Sequence, residues 1–255
     1  MKVSIITPSY NQGKFIERTI LSVLNQTYQN IEYIVIDGGS IDDTMEIVRK
    51  YSGRIDVIIH EKDKGQADAI NKGFKLATGD IIGWINSDDI IFPNCVEEIV
   101  ALAKEHPDGS IYYPAYIDLI DAEDRITGNV QKHIYGKETL INKDYDIIQQ
   151  GSFYKADLVR KVNFLNEDIH YCMDLDLWLK LLDHGGIYFY ESSPLAAFRI
   201  WEATKTSTAG VRFLRDIKKT LRKHNMRPLS PNNTRLNWYM LKAIVKSLVS
   251  KPALG

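Results

Sequence analysis

The sequence predicts an α/β chain built on a mostly parallel sheet flanked by helices, with a helical extension at its C-terminus. Three observations predict it. Short β-branched runs alternate with amphipathic segments through the first hundred residues, an order that implies parallel strands joined by right-handed crossovers. Polar and acidic residues cluster where the apolar runs end, which is where such sheets bind ligands. The last fifty residues lose the strand pattern and read as helix.

Residues 3–7 (VSIIT) form an apolar β-branched strand ended by Pro8. Residues 14–25 set Phe15, Ile16, Ile20, Leu21, Val23 and Leu24 at helical spacing behind Gly13. Residues 31–37 (IEYIVID) are a second strand, and 42–51 a helix that Ser40 or Asp42 is placed to cap. A strand at 56–60, a helix at 66–77, a strand at 80–86 (DIIGWIN) and a helix at 94–105 complete the alternation. Beyond 110 the pattern loosens into a strand at 110–117, a helix near 136–142 and a mixed segment at 147–155. A helix at 174–183 and strands at 187–191 and 195–199 follow, then helix broken at 227–233 (RPLSPNN).

At 255 residues, with 44% hydrophobic and 25% charged side chains, the chain has ordinary globular composition. That excludes disordered, collagenous and disulfide-scaffold classes. Cys95 and Cys172 are too few for a secreted framework and fit a reducing compartment. The apolar stretch before Pro8 is too short for a signal peptide, and no window reaches the roughly 18 apolar residues of a membrane span. A soluble, cytoplasmic protein is expected. The net charge of −1 hides an asymmetry: +11 from Arg199 to the C-terminus against −12 before it. A basic end points to an anionic partner. No nucleic-acid-binding signature accompanies it, so an anionic membrane surface or a phosphate-bearing substrate is the better fit.

Three strand ends carry the chemistry: Thr7-Pro8-Ser9-Tyr10-Asn11, Asp37-Gly38-Gly39-Ser40 and Asn86-Ser87-Asp88-Asp89. In a parallel sheet they share one edge. Alone, Asp88 and Asp89 would read as caps of the following helix. Converging with the other two ends, they suit a hard divalent ion, Mg²⁺ or Mn²⁺, shared with substrate phosphates. The first loop has neither a G-x-G-x-x-G nor a Walker A pattern. Metal and basic side chains must then neutralise a diphosphate, which is the demand of sugar transfer.

The runs VSIITPSYNQGKFIERTILSVLNQTYQNIEYIVIDGGSIDDT, DKGQADAINKG and TGDIIGWINSDD resemble the family 2 glycosyltransferases of GT-A, Rossmann-like fold. The similarity runs through residues 3–93 and resumes more weakly at 148–205. It implies an inverting enzyme using a nucleotide-diphosphate sugar and Mn²⁺ or Mg²⁺. It also implies a catalytic domain at 1–205, with a nucleotide-binding half at 1–110 and an acceptor half at 111–205, and a basic helical extension at 206–255. Base and ribose contacts fall on Pro8, Ser9, Tyr10 and Asp37. Asp37 as acceptor of the uracil N3–H favours UDP, with GDP and dTDP open. Asp68 is a further nucleotide contact, Asp88 a ribose or metal-water contact, and Asp89 the metal ligand.

Residues 171–182 (YCMDLDLWLKLL) resemble the family's acidic motif, with Met173 in place of the usual Glu, so Asp174 is the implied catalytic base. Asp174 and Asp176 point about 200° apart on a helix, so only one reaches the acceptor and the other braces. Gln150 is a donor-sugar candidate, and Arg199 and Lys205 are diphosphate candidates. Trp201 stands where the family often has His. The implied acceptor is a hydroxyl of a glycan or lipid-linked glycan, in cell-surface polysaccharide synthesis. A nucleotidyltransferase would share the metal and sheet but want a basic Gly-rich first loop. A non-catalytic nucleotide-sugar module would keep the pocket without needing Asp174. The stretch 234–251 (TRLNWYMLKAIVKSLVSK) mixes aromatic, aliphatic and basic residues. It fits a peripheral helix on the inner face of the cell membrane, or equally one docked on its own domain.

Overall fold

The computed structural model describes residues 1–202, 204 and 210–249. A seven-stranded sheet forms the core, in the order β10-β6-β9-β4-β1-β2-β3. Its strands are β1 (Val3–Ser9), β2 (Ile31–Asp37), β3 (Val57–His60), β4 (Ile81–Trp84), β6 (Gly109–Pro114), β9 (Phe153–Lys155) and β10 (Gly186–Tyr190). All neighbours run parallel except β9, which is antiparallel to β4 and β6. Every residue of β1 is buried, because helices cover both faces of the sheet, and this accounts for its unbroken apolar run.

The first helices are α1 (Ile16–Leu24), α2 (Thr44–Lys50), α3 (Gln66–Leu76) and α4 (Cys95–Glu105), each at the place the periodicity predicts. α3 lies hard against β1: a Cβ on Gly73 would sit 2.5 Å from the Ile6 side chain. Gly83 performs the same service for the antiparallel strand. A Cβ there would meet the Ser152 carbonyl at 2.6 Å, so only glycine lets β9 pair with β4.

The second half departs from expectation in one connected way. The strand expected at 110–117 is two strands parted at Ala115. β6 stays in the main sheet, and β7 (Tyr116–Ile120) leaves it for a four-stranded sheet in the order β5-β11-β7-β8. Its other members are β5 (Ile90–Ile91), β8 (Ile126–Gln131) and β11 (Ala196–Arg199). The short helices α5 (Lys137–Asn142) and α6 (Ala156–Lys161) and the longer α7 (Met173–Leu181) complete the body.

The basic extension is α8 (Gly210–Lys223) and α9 (Pro231–Val249), and both pack on the body. Ile217 and Leu221 of α8 are buried. Asn232 of α9, fully buried, donates to the carbonyls of Leu140 (2.8 Å) and Ile141 (2.9 Å). Among the described residues, no helix is long and apolar enough to cross a membrane.

Candidate functional site

A cleft of about 790 Å³ opens where the ends of β1 and β4 meet the second sheet, α7 and α8. Sheet register brings the ends together: Ser9 pairs with Asp37 across β1 and β2, and Ile6 with Trp84 across β1 and β4. The turn after β1 passes through Asn11 at φ 51°, a left-handed conformation that Asn tolerates. It is tied to the turn after β2 by the Asn11 amide on Ser40 Oγ (2.7 Å) and the Ile41 amide on Asn11 Oδ1 (3.0 Å). Pro8, Ser9 and Tyr10 line the cleft. Ser9 and Gln12 line the cleft, and their Oγ and Oε1 atoms are buried with no hydrogen-bond partner among the described residues. Burying such atoms unpaired is costly, and a polar ligand in the cleft would satisfy them.

Asp37 sits elsewhere than expected. It is fully buried and off the lining. Its Oδ2 accepts the Gly39 (3.1 Å) and Ser40 (2.8 Å) amides and lies 2.6 Å from His60 Nδ1, while Oδ1 accepts the Ser40 hydroxyl. Those bonds hold the turn rather than present an oxygen to a base. Asp68 is also off the lining. Its Oδ2 accepts the Lys64 amide (3.0 Å) and pairs with Lys72 at 3.5 Å. The cleft-facing members of the DKGQADAINKG segment are Asp63, Gly65, Gln66 and Ala69. Gln66 and Ala69 are i,i+3 neighbours on one helix face, from which Asp68 turns away. Asp63 is a carboxylate the sequence reading missed. The signal was Gly65, at φ 125°, whose amide Asp63 caps at 2.8 Å; the loop packs against Gly38, where a Cβ would collide with Asp63 Oδ2.

The acidic pair after β4 divides its roles. Asp88 lines the cleft, with Oδ2 accepting Trp201 Nε1 at 3.0 Å. Asp89, the expected metal ligand, is fully buried and off the lining, so of the pair it is Asp88 that faces the cleft. Asp89 receives the Arg199 amide on Oδ1 (2.9 Å), and Gln150 (3.1 Å) and Asn86 (3.2 Å) on Oδ2. Burial, with the Asp88 charge beside it, pushes the Asp89 carboxyl up to about 8 despite these donors. Gln150 lines the cleft and is anchored on Asp89. Gln149 lines it too, held by its donation to the Trp84 carbonyl at 2.8 Å.

Arg199, the expected diphosphate contact, is held inside the protein. It is fully buried and off the lining. Its guanidinium donates to the carbonyls of Asp88 (2.7 Å) and Asp121 (2.6 Å), pairs with Asp124 at 2.5 Å, and lies over the Phe15 ring at 4.8 Å. It ties β11 to the Asp88 turn. Lys205 lies outside the described residues. Trp201, edge-on to Phe15 at 5.0 Å, takes a cleft position through its bond to Asp88.

On α7, Asp174 lines the cleft and Asp176 is fully buried, the division that helical geometry requires of i,i+2 residues. Asp176 pairs with Lys180 (2.8 Å), Lys223 (3.3 Å) and His224 (3.3 Å). Desolvation would raise its carboxyl, but the bonds from His224 and Lys180 outweigh that and hold it well below the usual range. The cleft also has an apolar lining, with Ile117, Ile147, Met173, Phe198, Phe213 and Ile217 on it.

Among the described residues no three His, Cys, Asp or Glu side chains group to hold a metal unaided. Mg²⁺-type ions commonly take one or two carboxylates and complete their shell from substrate phosphates and water. One lining carboxylate, Asp88, fits an ion that arrives with a diphosphate.

The family model described as Glycosyl transferase family 2 matches residues 4–162. An uncharacterized glycosyltransferase of Rickettsia typhi is 32% identical over 214 residues, covering 81% of this chain and 66% of that protein. Chondroitin synthase of Escherichia coli is 30% identical over 185 residues, 72% of this chain and 27% of that one. The chain thus spans just under two thirds, or less, of these relatives' length. Among solved structures, S. aureus TarS residues 1–349 with UDP-GlcNAc superposes with a TM-score of 0.72 at 18% identity, over 98% of this chain and 74% of that chain. A mannosyltransferase of Pyrobaculum calidifontis with GDP-Man and Mn²⁺ gives 0.67 at 14% identity, over 99% and 76%. These two likenesses bear on the fold, which is GT-A.

Proposed function

The chain belongs to glycosyl transferase family 2, and from that premise we propose that it moves a sugar from a nucleotide-diphosphate donor to an acceptor hydroxyl, inverting at C1. One observation carries the reading. Of the two acidic pairs, one member each, Asp88 and Asp174, lines a single cleft, while Asp89 and Asp176 are buried as their supports. Asp174 takes the proton of the acceptor hydroxyl as its oxygen attacks C1 and the diphosphate departs from the opposite face. Asp88 is the side chain that would hold Mn²⁺ or Mg²⁺, which supplies positive charge to the leaving phosphates. Gln149 and Gln150, fixed by Trp84 and Asp89, are positioned to orient the donor sugar.

The unpartnered Ser9 Oγ and Gln12 Oε1 support a nucleoside at the first loop. Asp63 is the carboxylate on the lining able to accept an imino N–H of the base, which favours uracil or guanine over cytosine. The TarS complex holds UDP-GlcNAc and the mannosyltransferase complex GDP-Man. A UDP-sugar is the donor proposed here, and a glycan acceptor fits the likeness to chondroitin synthase.

Calorimetric titration of UDP, GDP, dTDP and CMP with and without Mn²⁺, followed by nucleoside-diphosphate release from the matching sugars, tests this. Metal-dependent UDP binding is expected. Asp174→Asn should lower turnover by about 10²–10⁴ at unchanged nucleotide affinity. Full turnover in that variant would sink the assignment of the base, and metal-independent binding would sink that of Asp88.

A further inference from the structure

We propose that α8 and α9 form a surface that seats the protein on an anionic lipid bilayer. α8 is two-faced. Phe213 and Ile217 project into the cleft, and Leu221 and Thr220, on the same side, are buried. Arg212, Arg215, Lys219 and Arg222 project from the opposite side and are exposed. Among the described residues none of these four has an acidic partner, and Asp216 is the one acid of the helix.

α9 supplies the apolar component. Its inner side is committed to the body through Leu236, fully buried, and through Arg235, which lies over the Tyr145 ring at 4.0 Å and pairs with Asp144 and Asp146. Trp238 and Leu241 point away from that side and are each 54% exposed. Lys242 lies 4.8 Å over the Trp238 ring. Leu229, just before α9, is 94% exposed. The two stripes adjoin, because Lys218 of α8 bonds Asn237 of α9, one residue before Trp238 and one turn before Leu241.

The occupant follows from the combination. A nucleic acid would use the basic stripe and leave Leu229, Trp238 and Leu241 without a purpose. A second copy would bring like charge against like, since the stripe is uniformly positive. An anionic bilayer takes both components, with arginines at the headgroups and Trp and Leu at the acyl boundary. The rest of the chain is net negative, so attraction to such a surface would orient the molecule with α8 and α9 toward it. Because Phe213 and Ile217 line the cleft from the same helix, the bilayer would lie beside the cleft.

The test is co-sedimentation of the full chain with vesicles of phosphatidylcholine alone and of phosphatidylcholine with about one third phosphatidylglycerol. Binding to the anionic vesicles only, falling with added salt, is expected. Each headgroup charge contributes about 1 kcal/mol, or about fivefold in affinity. Replacing Arg212, Arg215, Lys219 and Arg222 with Gln should therefore lower it several hundred-fold. Trp238→Ser should weaken binding while leaving its salt dependence unchanged. Nucleotide affinity, measured in the same variants, should not move, which separates loss of the surface from loss of the fold. Equal binding to both vesicle types, or unchanged binding in the fourfold variant, would overturn the proposal. So would concentration-dependent dimerisation that Trp238→Ser abolishes, or tighter capture of RNA than of anionic vesicles.

Discussion

Replacing Asp176 with Asn tests how the base-bearing helix is held. The substitution keeps the shape of the side chain and removes its charge. Asp176 is fully inaccessible and faces three basic groups within 3.3 Å, from α7 itself, the end of α8 and the residue after it. Removing one partner of a buried ion pair costs about 3–5 kcal/mol. The Lys223 side chain is 55% exposed and Lys180 21% exposed, so both ammonium groups can return to water, and the lower end, about 3 kcal/mol, applies. For a chain of this length that is a melting shift of about 6–12 °C. The pH dependence has a definite sign. The folded carboxyl titrates well below its unfolded value of about 3.9. Its contribution is therefore present above that value and is lost as pH falls toward the folded one. Guanidinium unfolding of both proteins at pH 7.5 and at pH 3 measures the gap. It should be near 3 kcal/mol at the higher pH, following the buried-pair estimate, and clearly narrower at the lower. A gap below about 1 kcal/mol at pH 7.5, or one unaltered at pH 3, would refute the reasoning, because an ordinary surface substitution gives as much.

Glu32 offers a second acid-sensitive tie. Burial would raise its carboxyl, but Lys2, Ser4 and Thr78 bond it and together lower it to about 2, so Glu32→Gln should destabilise by about 1–3 kcal/mol at neutral pH and converge with the parent as pH falls from about 4 toward 2, read by acid titration of the circular dichroism. Trp201→Phe keeps a ring near Phe15 but deletes the donor to Asp88. It should weaken Mn²⁺-dependent UDP binding about tenfold while leaving metal-free binding unchanged, and equal effects in both calorimetric titrations would contradict the positioning role.

The parts legible in the sequence are those where local pattern and tertiary outcome coincide. β1 through α4 are each bounded by a chemical signal such as Pro8, the Asp37 turn or the Asp88–Asp89 pair, and each buries the face its periodicity marks. The second sheet has no such pattern. β5 is two residues long, β8 (ITGNVQ) is largely exposed, and β7 continues from β6 with no turn residue between them, only Ala115. Their pairing is a long-range property, with β11 joining β5 and β7 from the far end of the chain.

The site divides along the same line. That α7 shows the cleft only one of its two acids follows from 3.6 residues per turn, while the choice of Asp174 over Asp176 comes from the resemblance to the family's acidic motif. Which member of Asp88–Asp89 faces the cleft does not follow from spacing, because the turn after β4 is irregular. It is decided by Arg199, 110 residues away, whose amide takes Asp89 Oδ1. The resemblance implies nucleotide and diphosphate contacts for Asp37 and Arg199, and in the structure both are buried ties. Charge at a strand end identifies a residue that organises the site. Whether it reaches the ligand depends on which donors fold over it, and for Asp37 those are Ser40 and His60, the latter contributed by β3 across the sheet. Asp89 and Asp37 each lie next to a cleft-lining carboxylate, Asp89 beside Asp88 in sequence and Asp37 beside Asp63 through Gly38 in space. Local chemistry therefore located the loops of the site, and long-range hydrogen bonds selected the side chains within them.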